Sequence, residues 1–145
     1  MKKNIILILI TIILGITFTF FYLNKTQAYV EEERLVYAFQ TAAFEKLDSA
    51  EDYAKQLPSS IIIKEDNLYK IYTAIYKDND LINKMVVFFE DNQIGIYLKT
   101  IPVSTGFYVN LSNYETLLNN TTDESVYNKI NQSILNLYKD SLENA

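Results

Sequence analysis

The chain has no cysteine and no histidine. The first absence excludes disulfides and thiolate chemistry, and the two together remove the commonest zinc and copper ligands and the commonest general base. Basic residues are also in the minority. Two of the 13 lysines and arginines, Lys2 and Lys3, precede an apolar N-terminal run, leaving 11 basic residues against 18 acidic ones in the remainder, a net of −7. Nucleic-acid binding needs a basic surface that releases counterions from phosphate, so no nucleic-acid partner is expected, nor electrostatic capture by anionic lipid. Internal repeats and low-complexity linkers are also lacking.

What the chain does have begins at its N-terminus. From Ile5 to Tyr22 there is no charge, and with Asn4 and Leu23 the run reaches the roughly 20 residues that cross a hydrocarbon core. Residues 4–23 are therefore expected to sit in a lipid bilayer as a single-pass anchor. Lys2 and Lys3 keep the N-terminus cytoplasmic and send the rest outward. A competing reading is a cleaved signal peptide, since Thr26-Gln27-Ala28 offers small residues at a peptidase spacing; the apolar run is longer than the 7–15 or so residues usual for that role. Both readings give an extracytoplasmic domain. The expected divisions are an anchor over 1–24, a linker over 25–34 carrying Glu31-Glu32-Glu33, an α+β domain over 35–104 and a helical extension over 105–145.

Beyond the linker, Leu35 to Thr41 is rich in β-branched and aromatic residues and predicts a first strand. Leu47 to Leu57 predicts a helix with Asp48 as N-cap, Ala50, Ala54 and Leu57 on one face, and Pro58 as its end. Ile61–Ile63 and Leu68–Tyr76 predict a hairpin across Lys64-Glu65-Asp66-Asn67. Asp78-Asn79-Asp80 opens a second helix, where Ile82, Met85, Val86 and Phe89 recur at helical spacing. Ile94 to Ile101 predicts a fourth strand closed by Pro102. This order is the ferredoxin-like split βαβ arrangement, a four-stranded antiparallel sheet with two helices on one face and the other face open. Two further helices are expected, one over Ser112–Asn120 capped by Ser112 and one over Thr121–Glu143. The latter has an apolar stripe through Tyr127, Ile130, Ile134, Leu137, Tyr138 and Ser141 that packs on the domain or docks a second protein.

The stretch Tyr37-Ala38-Phe39-Gln40-Thr41-Ala42-Ala43-Phe44 resembles the opening strand of the SPOR (sporulation-related repeat) domain, aromatic-x-Val-Gln-x-Gly-x-Phe. Ala50, Ala54 and Leu57 are similar to its Ala-x-x-x-Ala-x-x-Leu helix, and Leu68-Tyr69-Lys70-Ile71-Tyr72-Thr73-Ala74 to its Leu-Tyr-Arg-Val-x-Val-Gly strand. Ala42 and Ala74 stand where the family has glycines. The resemblance implies a non-catalytic module that binds peptidoglycan, especially bare glycan strands at division or sporulation septa of a bacterial cell wall.

Strand alternation separates the two faces of the sheet. Tyr37, Phe39 and Thr41, with Tyr69, Ile71, Thr73, Ile75, Ile96 and Leu98, are expected to face the core. The more polar set is then left on the open face, where Gln40, Lys70, Tyr72, Tyr97 and Lys99 form a candidate glycan-binding surface: rings stack on sugar faces while amide and ammonium groups donate hydrogen bonds. The competing reading of the same residues is ordinary cross-strand packing and solubilisation. No catalytic residues are expected, because the carboxylates fall in caps, turns and linkers and no Ser-x-x-Lys occurs in the outer domain. Asp78-Asn79-Asp80 lacks the glycine and closing glutamate of a calcium loop and reads as a helix cap, so no metal or cofactor is expected. An alternative function is a protein interaction module in a membrane-bound complex, with a septal protein docking on the C-terminal helices or the open sheet.

Overall fold

The structure, a computed structural model, describes residues 34–143. The expected anchor, linker and peptidase site therefore lie outside the described residues, except for Arg34. Among the described residues no helix is long and apolar enough to cross a membrane. The elements run β1 (Arg34–Phe44), α1 (Leu47–Ala54), β2 (Ile61–Glu65), β3 (Leu68–Tyr76), α2 (Asn79–Asp91), β4 (Tyr97–Val103), α3 (Thr105–Asn120) and α4 (Glu124–Glu143). The four strands form one antiparallel sheet in the order β2-β3-β1-β4.

Local chemistry accounts for the boundaries. Asp66 and Asn67 both adopt positive φ, 52° and 64°, the left-handed pair that lets a two-residue turn follow the twist of a hairpin. The turn is thus shorter than expected, and Lys64 and Glu65 belong to β2. Asp78 caps α2 by accepting from Asp80 N and Leu81 N, both at 3.0 Å. At the other end Gln93 is left-handed at φ 55°, Ile94 N donates to Phe89 O at 2.9 Å and Gln93 N to Glu90 O at 3.1 Å, which closes α2 as a Schellman motif without a glycine.

Several boundaries differ from the sequence reading; β1, for one, runs from Arg34 to Phe44 rather than from Leu35 to Thr41. α1 starts at Leu47 after Lys46, so Asp48 sits in its first turn rather than capping it, and it ends at Ala54, leaving Leu57 beyond it. β4 starts at Tyr97 and continues through Pro102, because an edge strand tolerates a residue without an N–H on its outer side. α3 begins at Thr105 rather than at Ser112, capped by Ser104, whose Oγ accepts from Phe107 N at 3.1 Å. Ser112 is inside that helix and bonds back to Tyr108 O at 3.2 Å. α4 begins at Glu124, with Asp123 Oδ1 accepting from Val126 N at 3.0 Å.

The larger difference is in the layers. The segment expected as an extension joins the main core: Phe107, Leu111, Leu118, Ile134, Leu135 and Tyr138 are buried in one cluster with Val36, Ala38, Tyr72, Ile75 and Ile101. The stripe of α4 is spent on the domain itself. Every residue of β3 from Ile71 to Tyr76 is buried, so the centre of the sheet is covered on both sides. On one side Phe39 meets Tyr76 and Phe89 of α2, with ring centroids 6.1 and 6.2 Å apart. On the other, α3 packs against β1, and α4 against β3 and β2.

Candidate functional site

Directly opposed residues of an antiparallel pair share a face. In the unbroken β1–β4 register, Val36, Ala38 and Gln40 lie opposite Ile101, Lys99 and Tyr97, while Leu35, Tyr37 and Phe39 lie opposite Pro102, Thr100 and Leu98. Val36, Ala38, Ile101 and Val103 are buried. Leu35 is 64% exposed, Tyr37 41% and Leu98 38%, and Thr100 and Pro102 are exposed as well. Here the expected assignment fails for Tyr37 and Leu98, which are exposed, while Phe39, Ile71, Thr73 and Ile75 are buried as expected: along β1 and β4 the side carrying Ala38 and Lys99 is the covered one, and the bare one carries Leu35, Tyr37 and Leu98. The physical reason is that α3 and α4 must bury their own apolar stripe, and the Val36–Ala38 side of the sheet receives it, whereas Leu35, Tyr37 and Leu98 are left exposed on the other side.

Of the residues chosen for the expected glycan surface, Lys70, Tyr72 and Lys99 come together with Glu65 as a clasp, while Gln40 and Tyr97 adjoin it only through the strand register. Gln40 is the register partner of Tyr72 on one side and of Tyr97 on the other. Lys99 Nζ donates to the Tyr72 hydroxyl at 2.8 Å and to Glu65 Oε2 at 2.9 Å. The Tyr72 hydroxyl donates to Glu65 Oε1 at 3.1 Å, and Lys70 Nζ donates to Glu65 Oε2 and Asp66 Oδ2, both at 3.0 Å. Tyr72 is only 1% exposed, Tyr97 is 64% exposed, and Gln40, Lys70 and Lys99 are half-buried. A flat stacking platform centred on Tyr72 is therefore ruled out by its burial.

Electrostatics explains why a polar set can lie on a covered face. Burial pushes the Glu65 carboxyl up, but hydrogen bonds from Lys99 and Lys70 outweigh it and the net shift is below the ordinary 4.5. Hydrogen bonds to Asp66 and then Glu65 raise the Lys70 ammonium. Burial, followed by the Glu65 charge, drives the Tyr72 phenol well above 10. Tyr138 of α4 is pushed up to about 12 chiefly by burial and then by Tyr72 and Glu65, and it belongs to the same buried cluster as Tyr72. Neutralised ammonium groups and a phenol that holds its proton make a structural pin, with its charges already compensated.

Glu65 is the member that sequence reasoning missed, having been placed in the turn. The available signal was Asp66-Asn67, which alone suffices for a hairpin and extends β2 to Glu65, in register with Leu68 and two residues along from Ile63, the partner of Lys70. A second buried polar node holds the other end of α4. Asn131 donates to Thr73 O at 2.7 Å and to Ser59 Oγ, and accepts from the Tyr76 hydroxyl at 2.8 Å. Among the described residues no cluster of acidic side chains could hold a metal ion.

Together these features define an α+β domain with a polar interior clasp and a sheet face whose β1–β4 half is apolar and bare. Compared with family models, curated proteins and solved structures, the chain matches none.

Proposed function

We propose that this chain is a non-catalytic interaction module, a ferredoxin-like α+β domain held on the outer side of a membrane by residues 4–23, which docks a protein partner in a membrane-bound complex. The observation that carries this reading is the β1–β4 face, where Leu35, Tyr37, Leu98 and Pro102 lie side by side and exposed. Contiguous apolar surface of that kind is costly to leave in water and marks contact sites. The clasp of Glu65, Lys70, Tyr72 and Lys99 supports it from the opposite side by holding the strands rigid.

The test is site-specific photo-cross-linking of the full chain in its membrane, with the reactive group at Tyr37 or, as control, at exposed Lys129 on α4. A discrete protein adduct is expected from Tyr37 and absent from Lys129, and is lost when Leu35 is changed to Asp. Equal labelling at both positions overturns the reading.

A second reading, binding of peptidoglycan glycan strands at a septum, is favoured by the SPOR resemblance and by the adjacency of Gln40 and Tyr97 at an accessible end of the sheet. Its ligand surface is reduced to a rim: Gln40, Tyr97 and the outer parts of Lys70 and Lys99. Co-sedimentation of the chain with purified sacculi decides it, since binding that Gln40→Ala and Tyr97→Ala reduce at least tenfold supports the rim and a chain left wholly in the supernatant refutes it.

A further inference from the structure

The two edges of the sheet are not alike. At the β2 edge, Ser60 and Gln132 of α4 bond reciprocally, Ser60 N to Gln132 Oε1 at 3.0 Å and Gln132 Nε2 to Ser60 O at 3.1 Å, so helix and edge are tied together. At the β4 edge, Tyr97, Leu98, Thr100 and Pro102 are exposed. Pro102 has no N–H, so its pairing with Leu35 must be the kind in which main-chain groups point away from the partner strand. Alternation then sets the rest: Lys99 and Ile101 turn their main chain toward β1, while Leu98 and Thr100 turn N–H and C=O outward, and Pro102 its C=O.

Natural edges are commonly protected by free charge or by proline, and Pro102 removes one outward N–H here while those of Leu98 and Thr100 remain. The charge on β4 is Lys99, and it is held on the covered face by Glu65 and Tyr72. We propose that β4 pairs antiparallel with β4 of a second copy of this chain about a two-fold axis at Thr100. In that register the Thr100 N–H of each copy donates to the other's Thr100 carbonyl, and each Leu98 N–H donates to the other's Pro102 carbonyl. Thr100 faces Thr100, a pairing that stabilises sheets. Leu98 faces Pro102, and Lys99 faces Ile101, so no like charges are opposed. The missing N–H of Pro102 stops the ladder there and selects this short register. The two four-stranded sheets become one, and the two apolar faces become one continuous surface. The proposal stands on the main chain of the edge and is independent of what docks on the apolar face.

The natural absence of cysteine makes the test direct. In the full chain in nanodiscs or mild detergent, Thr100→Cys is expected to cross-link to itself with a short bismaleimide, and Lys129→Cys, beside the opposite edge, is not. Thr100→Pro removes the outward N–H and leaves the β1–β4 bonds intact, as Pro102 already does; it is expected to melt as a folded protein and to sediment as a monomer where the wild type sediments as a dimer. Thr100→Lys, which opposes two ammonium groups at the axis, serves as the second variant and is expected to do the same. The proposal is overturned if the two cysteine variants cross-link equally or not at all, or if a folded Thr100→Pro or Thr100→Lys chain sediments like the wild type.

Discussion

The Tyr76 hydroxyl donates to Asn131 Oδ1 at 2.8 Å, joining the end of the central strand β3 to the helix α4 across 55 residues of chain. Tyr127 lies 3.1 Å from the same hydroxyl, and Asn131 spends its amide on Thr73 O and Ser59 Oγ. This node sits inside the core, where an unpaired polar atom costs its full desolvation penalty. Asn131→Ala strands the Thr73 carbonyl and removes the acceptor of Tyr76, so it is expected to lower unfolding free energy by about 3 kcal/mol. Urea denaturation followed by circular dichroism measures it; a loss under 1 kcal/mol contradicts the importance given to the node.

Glu115 presents the opposite case, a buried carboxylate that the fold tolerates. It accepts from Lys77 N at 2.6 Å and Asp78 N at 2.9 Å, fastening α3 to the start of α2. Burial raises its pKa above 4.5 against the pull of those two N–H groups. A raised folded pKa means that the group's contribution to stability is fully present below the unfolded value and is lost as pH rises through the folded one. Glu115→Gln keeps an acceptor oxygen and removes the charge, so the variant is expected to be the more stable at pH 7.5, with the gap narrowing toward pH 4.5. Parallel melts across that range check the sign.

Glu65 runs the other way. Its folded pKa lies below 4.5, so its contribution is present above the unfolded value and fades as pH falls through the folded one. Glu65→Gln uncouples Lys99 and Lys70 and is expected to cost roughly 1–2 kcal/mol at neutral pH, with little difference from the wild type in strong acid. A cost that persists unchanged at the acid end would assign the effect to packing.

Gln93 occupies a left-handed position that a side chain reaches only at a cost of roughly 1 kcal/mol. Because the Schellman bonds are main-chain bonds, Gln93→Gly keeps them and removes the strain. The variant is expected to gain about 0.5–1 kcal/mol, readable as a raised melting temperature; destabilisation would mean that the Gln93 side chain makes a contribution of its own.

The local features were legible because their causes are local. Asp78 reads as a cap since an Asp before a helical apolar pattern has N–H groups within its own reach, and it accepts from two of them. The α2 residues Ile82, Met85 and Phe89 read as one face from their spacing, and all are buried. Pro102 misled as a strand terminator because its effect depends on whether another strand lies on its N–H side, which spacing along the chain does not reveal. Ser112 misled as a cap because Ser-x-x-Glu also occurs where Ser bonds back into a helix and Glu115 reaches another element entirely. Alternation grouped Gln40, Lys70, Tyr72, Tyr97 and Lys99, but the setting of Lys70, Tyr72 and Lys99 was not legible: polarity suggested water, and Glu65 supplied the alternative.

By itself the sequence determined the order of strands and helices, the hairpin at Asp66-Asn67 and the existence of two chemically distinct sheet faces, since these follow from periodicity and from side chains acting within a few residues. Which face is covered was decided only in three dimensions. Alternation separates Leu35 and Tyr37 from Val36 and Ala38 but carries no sign, and the sign comes from where α3 and α4 dock. Their apolar stripe took the side whose polar groups could satisfy one another, and the β1–β4 half of the other side was left bare.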